Sequence, residues 1–175
     1  MSQVHLELLS EEHADALFRF ETDNRDTFED ESFSRHTSYY ERNTFQKILE
    51  ELVEEQGQQL HAMYLVFDSD GTLVGRVNLM KLMQEPFHKA EIGYRIDPQH
   101  QCKGYGTEAV GLLLEKAKNV YGLHRIEAGI APDNVAAQKV LQRNRFRYVG
   151  TYEQYIRVGG TWVDNAVYEI VLKDE

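Results

Sequence analysis

Three extended segments follow one another in the middle of the chain with no helix between them, and this limits the fold more than any other feature. Residues 62–67 and 73–82 flank the turn sequence DSDG and predict an antiparallel hairpin. A third extended segment, AEIGYRI at residues 90–96, follows them. Because neighbouring parallel strands need a crossover between them, this run excludes a fold of strictly alternating strands and helices.

The elements on either side of this run complete the predicted fold. A strand at residues 4–8 precedes two helices, separated by a polar span at 24–38 that predicts an irregular loop or broken helix. Ser38 and Glu41 have capping-box spacing at the start of the second helix. The later elements are a helix at 106–121, a strand at 124–131, a short helix from 132, and a closing hairpin of 146–156 and 162–172. This order predicts an α/β (α+β) fold, with residues 1–175 forming a single domain. Its mixed, mostly antiparallel sheet has about seven strands, with helices on both faces.

Composition and charge narrow the classes of function. A formal net charge of −10 argues against sequence-independent nucleic-acid binding, which depends on contacts from Lys and Arg to phosphate. No apolar run approaches the roughly 20 residues of a membrane span, and the N-terminus lacks the layout of a signal peptide. We therefore predict a cytoplasmic protein with no membrane partner, and the single cysteine, Cys102, fits a reducing compartment. The histidines lack metal-ligand spacing, so we predict no metal.

The segment IDPQHQCKGYGTEAV, residues 96–110, places two glycines where an apolar helix begins. Gly104 and Gly106 allow consecutive backbone N–H groups to turn toward one anion at the positive end of that helix. Taken alone, such a Gly-x-Gly is more often a tight turn. The segment lacks the Gly-Lys-Ser/Thr of a P-loop. A dinucleotide fold is also disfavoured, because antiparallel strands precede the glycines where it requires alternating strands and helices.

These residues carry a family resemblance that covers nearly the whole chain. Gln101, Gly104 and Gly106 match Gln/Arg-x-x-Gly-x-Gly/Ala, the acyl-CoA pyrophosphate loop of the GNAT acetyltransferases. AEIGYRI resembles the strand ahead of that loop, and Asn134 in APDNVAAQKVLQRNRF matches an asparagine that touches the pantetheine arm in that family. The chain is most similar to the ribosomal-protein N-terminal acetyltransferases of RimJ/RimL type, whose closing segment resembles YIRVGGTWVDNAVYEIVL.

The resemblance implies a site between two strands and an acetyl-CoA cosubstrate. In the GNAT fold the fourth and fifth strands, here residues 90–96 and 124–131, splay apart, and acetyl-CoA binds in the gap. The acetyl group is transferred directly to an amine, with backbone N–H groups polarising the thioester carbonyl. The cofactor-binding residues that the resemblance implies are Ile96, Gln101, Cys102, Lys103, Gly104, Tyr105, Gly106, Thr107 and Asn134.

Glu91 is the candidate catalytic base. A primary amine is mostly protonated at neutral pH, so a base must accept its proton before attack. Strand alternation sends Glu91 and Gly93 to one face of the sheet, and histone-type GNAT enzymes use a glutamate at the matching place. The alternative, that Glu91 only forms a structural ion pair, stays open. Leu141 stands where many members of the family have a tyrosine that acts as the general acid, and Ala137 stands where RimL-like members have a serine. The acid that protonates the leaving thiolate is therefore either dispensable or supplied by water.

A second departure from the family pattern lies after the short helix. Arg145 stands where the family has glycine before phenylalanine, and we expect Asn144 to take the left-handed conformation instead. The side chains of Arg143, Arg145 and Arg147 are also candidates for contacts to the adenosine phosphate of the cofactor.

The acceptor is an amine whose identity the residues leave open. We expect a groove between residues 24–38 and the closing hairpin. Its expected lining is Phe28, Phe33, Tyr39, Tyr152, Tyr155 and Trp162, with Glu29, Asp30 and Glu31 at the rim. Three functions fit: an enzyme that acetylates protein or peptide N-termini, one that acetylates a polyamine or an aminated antibiotic, and an acyl-CoA-binding protein without catalysis. We expect a monomer or a homodimer; whether a longer acyl group is used is open.

Overall fold

The computed structural model describes residues 1–31 and 35–173 and contains one sheet that joins both ends of this range. The strands are β1 (Val4–Leu8), β2 (Ala62–Asp68), β3 (Leu73–Met83), β4 (Lys89–Ile96), β5 (Arg125–Ile130), β6 (Arg147–Val158) and β7 (Thr161–Val171). Their order across the sheet is β1-β2-β3-β4-β5-β7-β6, and only β4 and β5 are parallel neighbours in this described part of the chain. The predicted mixed, mostly antiparallel sheet is confirmed.

Helices precede the central strands and alternate with the later ones. They are α1 (Ala14–Asp23), α2 (Arg25–Glu31), α3 (Arg42–Gly57), α4 (Tyr105–Asn119) and α5 (Val135–Arg143). The span 24–38 therefore contains a separate helix, as the broken-helix alternative expected. The predicted capping box is wrong, because Glu41 is the N-cap of α3 and makes no side-chain cap hydrogen bond. Ser38 lies in the preceding 3-10 turn, where both its N–H and its hydroxyl bond to His36 Nδ1.

Two apolar layers place helices on both faces of the sheet, as predicted. On one face, Ala90 and Ile92 of β4 lie in the same buried cluster as Leu113 of α4. On the other face, Leu17 of α1 and Leu49 of α3 lie in a second buried cluster with residues of β2. Burying these apolar side chains is the main favourable contribution to the fold.

β4 and β5 are parallel neighbours that separate after a short pairing. Residues 89–91 pair with residues 125–127, and the pairing then stops. β4 stays paired with β3 as far as Ile96, and β5 stays paired with β7 as far as Ile130. The carboxyl ends of both strands therefore border a gap, which confirms the predicted splaying.

Contacts distant in sequence hold the two ends of the chain to the same sheet. β1 pairs with β2, β7 pairs with β5, and the backbone N–H of Gln3 donates to the Glu108 carboxylate in α4 at 2.8 Å. These contacts support our proposal that residues 1–175 form one domain. Within residues 1–31 and 35–173, every helix is too short or too polar to cross a membrane.

Candidate active site

Glu91 lies where β4 and β5 separate. Because Ala90 and Ile92 pack toward α4, Glu91 points to the opposite face, on which Arg95 of the same strand reaches Glu21 of α1. The Glu91 carboxylate lies 3.0 Å from Lys81 Nζ. The ion pair of the alternative interpretation therefore exists. Lys81 is 69% exposed, so water competes for both groups and the pair does not exclude a role for Glu91 as a base.

A second carboxylate, Glu127 of β5, faces Glu91 across the last pair before the gap. Glu127 lies 3.0 Å from Lys89 Nζ and is 26% exposed. Glu127 was not predicted as a site residue, because the register between two strands far apart in the chain leaves no local signal in the sequence. The site therefore contains two neighbouring carboxylates on the face opposite α4, each beside a lysine.

The loop between β4 and α4 presents backbone donors. It passes through a 3-10 turn at Pro98–His100 and reaches Gly104, whose φ of +84° is left-handed and which is the N-cap of α4. The N–H of Glu108 donates to the carbonyl of Gly104. Among the residues that the structure describes, none accepts a hydrogen bond from the N–H groups of Tyr105, Gly106 and Thr107. These donors stand at the positive end of the helix and suit an anion.

The two loop glycines have different roles. No atom lies within 4 Å of a Cβ built on Gly104, so its backbone conformation alone requires glycine. A Cβ on Gly106 would lie 3.5 Å from Ile96 and 3.7 Å from Tyr94, which is ordinary van der Waals contact. The Ile96 side chain is buried beneath Gly106, so the predicted cofactor contact of Ile96 would have to come from its backbone.

The other loop side chains lie on the surface. Gln101, Cys102 and Lys103 are exposed, and Gln101 Nε2 donates to the Ile96 carbonyl at 3.4 Å. Lys103 Nζ lies 5.9 Å from the centre of the Tyr105 ring. A cation therefore lies beside the backbone donors, as a phosphate contact requires.

Asn144, at the end of α5, holds the first turn of α4. Its Nδ2 donates to the carbonyls of Thr107 and Val140, both at 3.0 Å. The predicted left-handed conformation of Asn144 is wrong, since its φ is −90° and Arg145 has φ +64°. The Asn144 amide is engaged by these helix-end contacts, which leaves the next residue to make the left-handed turn. Arg147 pairs with Glu169 and is held on the sheet.

Asn134 begins α5. Its Oδ1 accepts a hydrogen bond from the N–H of Ala137 at 3.0 Å, as an N-cap does. In the described chain its Nδ2 donates no hydrogen bond to a protein atom, so it remains available to a carbonyl of a ligand. Ala137 and Leu141, on the same helix, are 7% and 0% exposed and offer no proton donor.

The predicted acceptor groove is partly wrong. Phe28 is 2% exposed and packs in the core, because α2 turns it toward Phe20. Tyr39 is largely buried against Phe45, and Phe33 and the side chains of residues 30 and 31 lie outside the described atoms. The aromatic residues of the closing hairpin are exposed, as expected: Tyr152, Tyr155 and Trp162. They lie beyond the residues of β7 that pair with β5, at the edge where β5 ends.

The separated strands β4 and β5 and the adjacent N-terminus of α4 lie within a stretch of the chain that matches a known domain. Residues 3–147 match the family model described as "Acetyltransferase (GNAT) domain". The chain belongs to the GNAT acetyltransferase family. This GNAT protein is 34% identical over 158 residues to the probable N-acetyltransferase YjcK of Bacillus subtilis, covering 89% of this chain and 86% of YjcK.

Solved structures share this GNAT fold. Ribosomal-protein-S5-alanine acetyltransferase from Vibrio fischeri has a TM-score of 0.91 at 24% identity, covering 98% of this chain and 94% of that one. Mycobacterium smegmatis RimJ in complex with CoA-disulfide has a TM-score of 0.87 at 23% identity, covering 96% and 81%. The predicted resemblance to RimJ/RimL-type enzymes is confirmed. The chain is an N-acetyltransferase that uses acetyl-CoA and an amine acceptor.

The residues of this GNAT site fit acetyl-CoA. The three N–H groups at the start of α4, without acceptors in the described chain, suit a diphosphate, and Lys103 adds a positive charge beside them. Beyond Glu91, the edge of β4 that faces the gap pairs with no described strand. Its backbone groups are therefore available to amides of an extended ligand.

Proposed function

We propose that this GNAT enzyme acetylates the N-terminal α-amine of a protein or peptide. The observation that carries the proposal is the position of Glu91 at the last β4–β5 pair, on the face opposite α4. From there its carboxylate reaches a substrate that enters from the α1 side of the gap. The likeness to an S5-alanine acetyltransferase supports a protein N-terminus as the acceptor.

The residues of the chain divide the work of binding. Acetyl-CoA supplies the acetyl group and a thiolate leaving group. The N–H groups of Tyr105, Gly106 and Thr107 bind the diphosphate, and Asn134 Nδ2 donates to the pantetheine arm. The unpaired edge of β4 after Glu91 supplies N–H groups that polarise the thioester carbonyl.

Proton transfer involves Glu91 and solvent. Glu91 accepts a proton from the acceptor ammonium, directly or through water, and so frees the nitrogen lone pair for attack on the thioester. Glu127 lies one strand away and helps to attract the ammonium group. After attack the nitrogen loses a second proton, and water carries it to the departing thiolate, because Leu141 and Ala137 carry no proton donor.

One other function remains as an alternative. The acyl-CoA-binding protein without catalysis is not retained, because the chain is an N-acetyltransferase and water can replace the acid that Leu141 and Ala137 lack. A small-amine acetyltransferase would share the cofactor site. Of the expected acidic rim, Glu29 is paired with Arg25 at 3.3 Å, which weakens its attraction for a polyamine.

Thiol release separates the peptide acetyltransferase from the small-amine acetyltransferase. The purified protein is mixed with acetyl-CoA and, in parallel, with peptides that begin with Ser or Ala, with spermidine, or with no acceptor. We expect release with the peptides. Release with spermidine alone would support the small-amine enzyme, and binding of acetyl-CoA without release from any acceptor would contradict both functions. The cytoplasmic location and the choice between monomer and homodimer stay predictions.

A further inference from the structure

Three arginines meet one buried carboxylate on the acceptor side of the sheet. Glu21 of α1 is 1% exposed, and its Oε2 accepts a hydrogen bond from Arg35 Nη1 at 3.1 Å. Its Oε1 lies 2.9 Å from Arg76 Nε in an ion pair that lacks hydrogen-bond geometry. An Arg95 guanidinium nitrogen lies 3.7 Å from the same carboxylate. We call Arg35, Arg76 and Arg95 the arginine cluster.

The arginine cluster creates a positive environment. Among the described side chains, Glu21 is the one carboxylate within ion-pair distance of Arg35 and Arg76, so within this set two guanidinium groups share one negative charge. Burial, together with the charges of Arg76 and Arg35, lowers the pKa of Arg95 to about 10, and Glu21 offsets only part of this effect. Burial likewise lowers the pKa of Arg76. A second anion would relieve this like-charge repulsion.

A cavity of about 250 Å³ adjoins two members of the cluster. Arg35, Arg76 and Tyr39 form its polar side, and apolar residues of α1, α3 and β2 form the rest. The Arg35 guanidinium lies 4.1 Å from the centre of the Tyr39 ring, which orients it. Burial raises the pKa of Tyr39 to about 12, so its hydroxyl remains a neutral donor. The cavity therefore suits a carboxylate with apolar surroundings.

A polar path on one face of the sheet connects the cluster with Glu91. Arg76 pairs with Arg95, Asn78 pairs with Gly93, and Met80 pairs with Glu91, all on the same face. Asn78 Oδ1 is buried and has no hydrogen-bond partner in the described chain. Gly93 carries no side chain, and the Met80 methyl lies over it. An N–H donor of a bound ligand would satisfy Asn78 Oδ1.

The strand spacing sets the length of the ligand. Glu91 and Arg95 are four residues apart on β4, which corresponds to about 13 Å at the usual rise of a strand. An extended peptide advances about 3.3–3.6 Å per residue. Because the amine belongs to residue 1, a peptide with its amine at Glu91 brings its fourth or fifth residue near the arginine cluster.

We propose that the arginine cluster binds a carboxylate of the acceptor, carried by its fourth or fifth residue, while Asn78 accepts a hydrogen bond from a backbone N–H between that residue and the amine. The carboxylate is either an acidic side chain or the C-terminus of a short peptide. This inference rests on the proposed function, and it specifies the class of peptide. It also disfavours a polycation such as spermidine at the same place.

Peptide pairs that differ only in charge test the proposal. One set consists of hexapeptide amides that begin with Ser or Ala and carry either Glu or Gln at position 2, 3, 4 or 5. A second set consists of tetrapeptides, each prepared once with a free C-terminus and once with an amidated C-terminus. We expect kcat/KM to be at least tenfold higher for Glu than for Gln at position 4 or 5, and little different at 2. The tetrapeptides distinguish a C-terminal carboxylate from a side-chain carboxylate.

Arg35→Gln is the most suitable variant, because the Arg35 side chain is partly exposed. Loss of the buried Arg76 would remove the positive charge closest to the buried Glu21 carboxylate and would destabilise the fold. Arg35→Gln should reduce the Glu/Gln ratio to below about threefold with little change for Gln peptides. The matched control is Arg19→Gln, which removes the same charge from an exposed residue of α1 and should keep the ratio. If Arg35→Gln fails to fold, Arg35→Lys keeps the charge and should give an intermediate ratio.

The outcomes are distinguishable. Calorimetry with N-acetylated product peptides adds a readout independent of turnover, and Glu products should bind wild type more tightly than Gln products. Equal rates for Glu and Gln peptides at every position, or an unchanged ratio in both Arg35 variants, would overturn the inference while leaving the proposed function intact. No thiol release from any peptide would overturn both.

Discussion

Glu91 has two neighbours that define its surroundings, Lys81 in an ion pair of 3.0 Å and Glu127 across the last parallel pair. Two carboxylates on adjacent strands attract the ammonium form of an acceptor. Lys81 is largely exposed and can leave the carboxylate at little free-energy cost. Glu91 is therefore accessible to a substrate amine.

Glu91→Gln should lower kcat/KM by about 100-fold, since a positioned base typically contributes a factor of this order. The loss should be largest below pH 8, where an α-amine is mostly protonated and depends on a base. The coenzyme A dissociation constant, measured by calorimetry, should not change. Lys81→Met, which keeps the carboxylate, serves as the control and should change kcat/KM by less than about threefold. Wild-type rates in Glu91→Gln would eliminate Glu91 as the base.

Arg145 holds a left-handed conformation at φ +64°, which is unfavourable for a side chain other than glycine. Arg145→Gly should raise the free energy of unfolding by about 1 kcal/mol, as measured by urea denaturation. Arg143→Gly, within the last turn of α5, should instead lower it. A destabilised Arg145→Gly would show that the arginine side chain makes a favourable contribution that outweighs the strain.

Single residues also show the limits of sequence reasoning. Gly104 and Asn134 stand where their patterns predicted, because a left-handed N-cap and a helix cap are local features. Glu127 was missed and Asn144 was assigned the wrong conformation, because their roles depend on contacts with β4 and α4 that no local pattern encodes. Ser38 was misassigned, because His36 competes for its hydrogen bonds.

At the level of elements, the site is built from the separation of β4 and β5 and from the starts of α4 and α5. The strands were predictable from their period, and the splaying came only from the resemblance. The sheet order, with β7 between β5 and β6, did not follow from the sequence, because hairpin signals identify partners but not the outer neighbour of each hairpin. The prediction that Phe28 lines the acceptor groove is wrong, because α2 places this side chain in the core.

Asn134 combines a structural role with a proposed cofactor contact, and substitutions separate the two. Asn134→Ser and Asn134→Asp keep an oxygen that caps α5 but remove the amide donor, whereas Asn134→Ala removes both. Acetyl-CoA affinity should fall about three- to tenfold in all three variants, as expected for one lost hydrogen bond. The free energy of unfolding should fall by about 1 kcal/mol only in Asn134→Ala. Unchanged affinity in Asn134→Ser would restrict Asn134 to the cap.

Across the whole molecule, charge is distributed unevenly. The net charge is −10, yet the arginine cluster and the loop at Lys103 place positive charge at two positions beside the gap. Anionic groups of both substrates therefore have local partners despite the overall acidity, while Glu91 and Glu127 between them attract an amine. This arrangement fits one molecule that holds a diphosphate, an ammonium group and a carboxylate at separate positions.

The central claim is that the left-handed turn at Gly104 orients the backbone donors that bind coenzyme A. The most direct test is calorimetry of coenzyme A binding to wild type, Gly104→Ala and Gly71→Ala. Both glycines have positive φ, +84° and +78°, and neither has an atom within 4 Å of a built Cβ, so the substitutions introduce matched strain. We predict that Gly104→Ala weakens binding at least tenfold and that Gly71→Ala, in the β2–β3 turn, binds as wild type does. Equal affinities in all three proteins, or no binding to wild type, would contradict the account.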